Sequence, residues 1–308
     1  MKKTWLILLS FTLILLAGCS LEPPEWAKPK QKENLEDIKI GLSVSTLNNP
    51  FFVSLKDGVV EEAEKQGMET IVVDAQDDSA KQINDVEDLL QQGVDVLLIN
   101  PTDSSAISTA VQSANTLGIP VITLDRSADK GEVVTLVASD NVKGGQMAAD
   151  FIVEQLGEGA KVAELEGVPG ASATRERGEG FHLTADEKLN VVAKQTANFN
   201  RTEGLDVMEN LLQGNPDIQA VFAHNDEMAL GAVEAIAGSG KDIPVIGFDG
   251  NEDALQSIKA GQLTATVAQQ PELIGQLAVQ AASDTLQGKE VEELIAAPLK
   301  MISEENQE

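Results

Sequence analysis

The sequence predicts an α/β protein of two lobes, each a parallel sheet covered by helices on both faces. Three observations lead there. About 270 residues follow Asp37, more than one hydrophobic core usually serves and enough for two. Short apolar runs alternate with amphipathic stretches along that whole length. Near-continuous apolar strands separated by helices are the mark of parallel sheets buried on both sides. Finally, the halves echo each other: 94-VDVLLINPTD-103 resembles 218-IQAVFAHND-226, and 119-IPVITLDR-126 resembles 243-IPVIGFDG-250.

The apolar runs predict ten strands. Those of the first half lie at Ile38–Val44, Thr70–Val73, Val94–Ile99, Pro120–Leu124 and Val133–Val137. Those of the second lie at Lys161–Leu165, Val191–Ala193, Ile218–Ala223, Ile243–Phe248 and Leu263–Val267. Between them, stretches such as 52-FVSLKDGVVEEAEKQG-67 and 205-LDVMENLLQG-214 read as helices, and Pro50 suits a helix start. Gly67, Gly118 and Gly214 stand where a C-terminal cap glycine is expected. Gly144–Gly145, inside a helical pattern, reads as a close-packing site.

Residues 1–18 read as an export signal: Lys2 and Lys3, then an apolar run from Trp5 to Leu16 that is too short to span a bilayer comfortably. Leu-Ala-Gly-Cys resembles a lipobox, which makes Cys19 the expected lipid attachment site and the membrane a partner through that lipid. Cys19 is also the only cysteine, so no intramolecular disulfide can form. Residues 19–36, rich in Pro, Lys and Glu, read as a tether, with Trp26 exposed. The net charge of −28 repels nucleic acid and anionic headgroups. It fits either a salt-adapted or a simply soluble surface.

In each half a strand ends in an amide, an acid follows near the next helix start, and the next strand ends in Asp. Ligands of open parallel sheets sit outside the carboxyl ends of the strands. That edge collects Asn49, Asn100, Asn225 and Gln269, which both donate and accept, Asp125 and Asp249, which accept, and Arg126 and Arg177, which donate. Two negative and two positive charges cancel. Cancelled charge with many two-way amides suits a neutral polyhydroxyl ligand. A sugar ring also has apolar faces, which Phe51 and Phe52 on one side and Phe199 on the other would cover. Phe181, Phe222 and Phe248 read as core, and His224, beside Asn225, as a residue at the pocket rim.

The segments STLNNPFFVSLKDG, LLINPTDS, IPVITLDR, KGEVV, ASDNV, RERGEGF, NDEMALGA and GFDG resemble the ribose-binding proteins of bacterial ABC sugar importers. The similarity runs from about Ile38 to about Gly288. It implies two Rossmann-like lobes joined by a three-crossing hinge, the type I periplasmic binding protein arrangement, closing on one D-ribose. The implied sugar contacts are Asn49, Phe51, Phe52, Asn100, Asp125 and Arg126 from one lobe, and Arg177, Phe199, Asn225, Asp249 and Gln269 from the other or its border. Ser139 is the implied start of the first hinge crossing. The lobes would comprise 37–139 with 270–298, and 140–269 with 299–308. A membrane permease is the implied partner, and a monomer the implied state. The acidic tail ISEENQE, two short deletions in the second half and the acid excess depart from the pattern and bear on surface contacts.

The same class with another cargo (allose, another pentose or a furanose) and a chemoreceptor role stay open. An enzyme is not expected: the two Asp have binding roles, and no G-x-S-x-G nucleophile occurs. A sugar-sensing repressor is excluded by the leader and the charge. No catalytic residue, metal or cofactor is expected. The segment 238-GSGKD-242 fails the spacing of a phosphate loop, and 249-DGNEDALQ-256 lacks the glycine a calcium loop needs at its sixth position.

Overall fold

The computed structural model describes residues 34–306; the leader, Cys19 and Trp26 lie outside the described residues. The first half runs β1 (Lys39–Val44), α1 (Pro50–Lys65), β2 (Glu69–Asp74), α2 (Ser79–Gln91), β3 (Val96–Ile99), α3 (Ser108–Thr116), β4 (Val121–Leu124) and β5 (Thr135–Ser139). The second runs α4 (Asn141–Leu156), β6 (Lys161–Glu166), α5 (Ser172–Lys188), β7 (Asn190–Thr196), α6 (Arg201–Gly214), β8 (Ala220–Ala223), α7 (Asp226–Ser239), β9 (Val245–Asp249), α8 (Glu252–Lys259) and β10 (Ala265–Ala268). Then follow α9 (Pro271–Leu286), β11 (Leu294–Ala297) and β12 (Lys300–Ser303).

The strands form two six-stranded sheets, ordered β2-β1-β3-β4-β5-β11 and β7-β6-β8-β9-β10-β12. The first five places of the two orders match with a shift of five strands, which is the repeat the strand-end motifs announce; β11 and β12 fill the sixth. In each sheet the order reverses beside its first strand, at the β1/β3 and β6/β8 junctions. Such a reversal opens a crevice at the carboxyl edge. The chain passes between the sheets three times, after β5, after β10 and between β11 and β12.

Each sheet is buried on both faces. Ile40, Leu42 and Val44 point to one side of β1, with α1 and α9; Leu97, Ile99 and Val121 point to the other, with α2 and α3. The second sheet repeats this with Leu165, Val221 and Ala223 under α6 and α7, and Phe222, Ile246 and Phe248 under α4 and α5. Each fully buried Leu, Ile or Phe contributes roughly 1.5–3 kcal/mol. Helices α4 and α5 approach closely at Gly145, where a Cβ would lie 2.0 Å from the Arg177 carbonyl oxygen.

The ten expected strands all occur, with ends shifted by a few residues. Two more, β11 and β12, were not expected. Both are four residues long and half exposed, so their apolar period is weak. Strand β12 runs antiparallel to β10: β11 runs parallel to β5 and ends at the carboxyl edge of the first sheet, and after only Pro298 and Leu299 the chain enters the second sheet from its own carboxyl edge. Gly67 and Gly118 take positive φ after their helices. Gly214 does not cap: it belongs to the last turn of α6, and Asn215 ends the helix. Among the described residues no helix is long and apolar enough to cross a membrane.

Candidate functional site

The carboxyl edges of the two sheets face each other across a cleft. The lobes touch there: the Ser104 amide donates to Gly170 O at 3.0 Å, the Ser127 amide to Ser172 Oγ at 3.0 Å, and Arg175 pairs with Asp129 at 3.1 Å. Between them lies a small, partly enclosed cavity lined by Asn49, Phe51, Phe52, Asp125, Arg126, Ala173, Arg177, Phe199, Asn225 and Asp249.

Local structure places each group. Asn49 and Asn225 are the N-caps of α1 and α7, their side-chain oxygens accepting from the Phe51 and Met228 amides at 2.9 Å. Pro50 then starts α1, and Phe51 and Phe52 fall on its first turn, edge to face with centroids 5.1 Å apart. Phe199 comes from the turn before α6 and has φ +59°. Its ring lies over Gly167, where a Cβ would come within 2.1 Å. Asp125 and Asp249, at the ends of β4 and β9, have φ of +62° and +124°. Non-glycine residues held there cost about 1–3 kcal/mol each and persist only where the surroundings fix them.

The charges sit out of water. Arg126 lies between two rings, 5.0 Å from the Phe52 centroid and 5.2 Å from that of Phe199, and donates to Pro101 O at 3.0 Å. Arg177 is held more firmly. Its Nε donates to Asn141 Oδ1 at 2.9 Å, and its guanidinium donates to His224 O at 2.5 Å. The same group stacks 3.8 Å above the Phe248 ring and lies 3.6 Å from Asp249 and 4.0 Å from Asp125. Burial raises the pKa of both Asp; Arg126 and Arg177 oppose this at Asp125, and Arg177 does so at Asp249. Asp125 Oδ1 and Arg126 Nε are buried without a hydrogen-bond partner, as is Gln269 Oε1. These are the acceptors and donor that a ligand with several hydroxyls would satisfy.

A periplasmic binding protein domain model matches residues 40–290. The chain belongs to the periplasmic binding protein family. It is 71% identical to the ribose import binding protein of Bacillus subtilis over 98% of this chain and 99% of that one. It is 54% identical to the ribose import binding protein of Haemophilus influenzae, over 86% and 91%. Its fold matches the Caulobacter myo-inositol binding protein solved with myo-inositol, with TM-score 0.84 and 33% identity over 94% and 97%. Members of the family such as these bind solutes for import, and this chain is likewise a binding protein, not an enzyme.

The structure brings nine of the eleven expected contact residues to the cavity wall. The other two, Asn100 and Gln269, are not among the residues that line it. Asn100 uses its amide to bind the Ser45 amide and Leu124 O, at 3.1 Å each. Gln269 donates to Asp249 Oδ1 at 2.9 Å. Ser139, the last residue of β5, pairs with Ala297, the last of β11, so two crossings leave side by side.

His224 is not at the rim. It is fully buried beneath Arg177 and bonded at 2.9 Å to Glu164, whose other oxygen meets His182 at 3.0 Å. Burial would raise the Glu164 pKa, but the two histidines outweigh it and hold the carboxylate below its ordinary value. Sequence reasoning also missed Asn141, Ala173 and the support role of Phe248. Asn141 follows Ser139 by two residues, and only the contact of α4 with α5 brings it to Arg177.

Proposed function

We propose that this protein is the extracytoplasmic solute-binding component of an ABC importer and carries D-ribose between its lobes to a membrane permease. The observation that supports this most directly is the cavity itself. It is small, its two carboxylates and two guanidiniums cancel, and aromatic rings wall it from both lobes. Ring faces cover the apolar C–H faces of a sugar while the amides and charges read its hydroxyls. The ribose import relatives give the cargo.

In this reading neither lobe buries the sugar alone. Ribose bridges them and favours the closed form by its higher affinity for it. The moving bodies are 37–139 with 270–298 and 140–269 with 299–308, and the hinge begins at Ser139. A lipid on Cys19 holds the monomer at the outer face of the cytoplasmic membrane. Calorimetric titration of the chain from Ser20 onward with ribose, allose, galactose, xylose and arabinose tests the cargo. One-to-one binding with ribose tightest by about tenfold or more is expected. Another sugar binding more tightly would overturn the assignment.

A further inference from the structure

We propose that Asp226 is a positioning residue for sugar binding, acting through Asp249. Its carboxylate clamps the turn after β9 and so holds Asp249 in the backbone conformation that aims its side chain into the cavity. The proposal rests on reading the cavity as a sugar site.

Asp226 is the first residue of α7 and is fully buried. An acid there normally faces water or its own helix start. Here all three of its hydrogen bonds leave the helix. One oxygen accepts from the Gly250 and Asn251 amides, both at 2.8 Å, and the other accepts from Thr266 Oγ1 at 2.7 Å. Gly250 and Asn251 directly follow Asp249. The clamp therefore fixes the peptide leaving Asp249, whose φ of +124° a side-chain-bearing residue rarely adopts. Room is made in β9: a Cβ on Gly247 would lie 2.3 Å from Asp226 Oδ1. Burial pushes the Asp226 pKa up to about 7. The neutral acid can still accept from both amides while its hydroxyl donates to Thr266.

That last point supplies the test. An asparagine can accept the two amide hydrogens on Oδ1 and donate from Nδ2 to Thr266. An alanine leaves both amides unpaired. Ribose titration should show Asp226→Ala weakening binding by about 10- to 100-fold, and Asp226→Asn recovering most of that loss. In an Asp249→Ala background, removing Asp226 should cost no more than about twofold further, because the two act as one unit. A role in stability alone would lower the melting temperature but leave the affinity and that non-additivity unmoved. Should Asp226→Ala not fold, Thr266→Val removes the third hydrogen bond of the clamp; about fivefold weaker binding is expected. A folded Asp226→Ala or Thr266→Val with native affinity, or fully additive losses with Asp249→Ala, overturns the proposal. Native protein that binds no ribose refutes the sugar reading instead. The clamp is then judged by hydrogen exchange: the Gly250 and Asn251 amides should exchange faster in Asp226→Ala, and unchanged exchange refutes it.

Discussion

The two lobes end their fourth strands on the same pattern, Ile-Pro-Val-Ile-x-x-Asp, and surround the result differently. In β4 the variable pair is Thr123-Leu124 and the next residue is Arg126; in β9 it is Gly247-Phe248 and the next is Gly250. Gly247 admits the buried Asp226 carboxylate, and Phe248 forms a bed for Arg177. In the first lobe the matching acid, Asp103, turns instead to the Ser105 and Ala106 amides at 2.8 Å, and Gln82 braces the strand ends through Asn100 O and the Thr102 amide. Each lobe thus offers one carboxylate and one guanidinium, but Arg126 lies between two rings with one hydrogen bond, to Pro101 O, while Arg177 bonds both Asn141 and His224 O above the Phe248 ring. A duplicated topology does not require duplicated support.

The largest expected difference lies between the two arginines. Lysine cannot reproduce the fork that reaches Asn141 and His224 O together, nor the ring stacking. Arg177→Lys should weaken ribose binding by about 2–5 kcal/mol. Arg126→Lys, with one backbone acceptor to replace, should cost about 1–2 kcal/mol. Calorimetry on both decides it, and equal losses would break the comparison.

Next come the strand ends. Gly247→Thr imposes the first lobe's residue on the second and forces its side chain into Asp226, so thermal unfolding should report about 1–3 kcal/mol of destabilisation. The reverse exchange, Thr123→Gly, meets no such contact and should cost about 0.5–1 kcal/mol from chain entropy. Equal effects would mean that the space at Gly247 is not reserved.

The smallest effect is the pH dependence that His182 gives the second lobe. Burial of His182 lowers its pKa, but Asp186 and Glu164 together outweigh this and raise it. The resulting stability is fully present below the ordinary histidine value of about 6.5 and is lost as pH rises through the raised one. Half-exposure and solvent screening keep it below about 1 kcal/mol. Asp226 has the same sign at lower pH: its contribution is present below its ordinary value of 3.8 and is lost as pH rises towards about 7. Melting temperature should therefore fall between pH 6 and pH 9, less steeply in His182→Gln. An identical slope would remove His182 from the account.

Much of this was legible in the sequence, for physical reasons. Buried parallel strands must be apolar along their length, so β1 to β10 announce themselves; β11 and β12 are short, half exposed and lack that signature. The cavity wall was legible because strand-end Asn and Asp and a Phe pair after Pro50 have few other uses. What lies beneath the wall was not. Phe248 reads as core, and is core, yet its face also carries Arg177. His224 neighbours Asn225 in sequence, but strand alternation turns its ring inward to Glu164. Asp226 reads as a helix-start acid because its partners come from β10 and the turn after β9, contacts that no local pattern encodes.

The central claim is that one ribose is read by both lobes at once. Titrating Asp125→Ala and Asp249→Ala with D-ribose beside the native chain tests it most directly. The account predicts one-to-one binding by the native chain and a loss of about tenfold or more in each variant, since each removes a buried carboxylate from opposite sides of the cavity. Native affinity in either variant would contradict it, because that lobe would then close over the sugar without reading it.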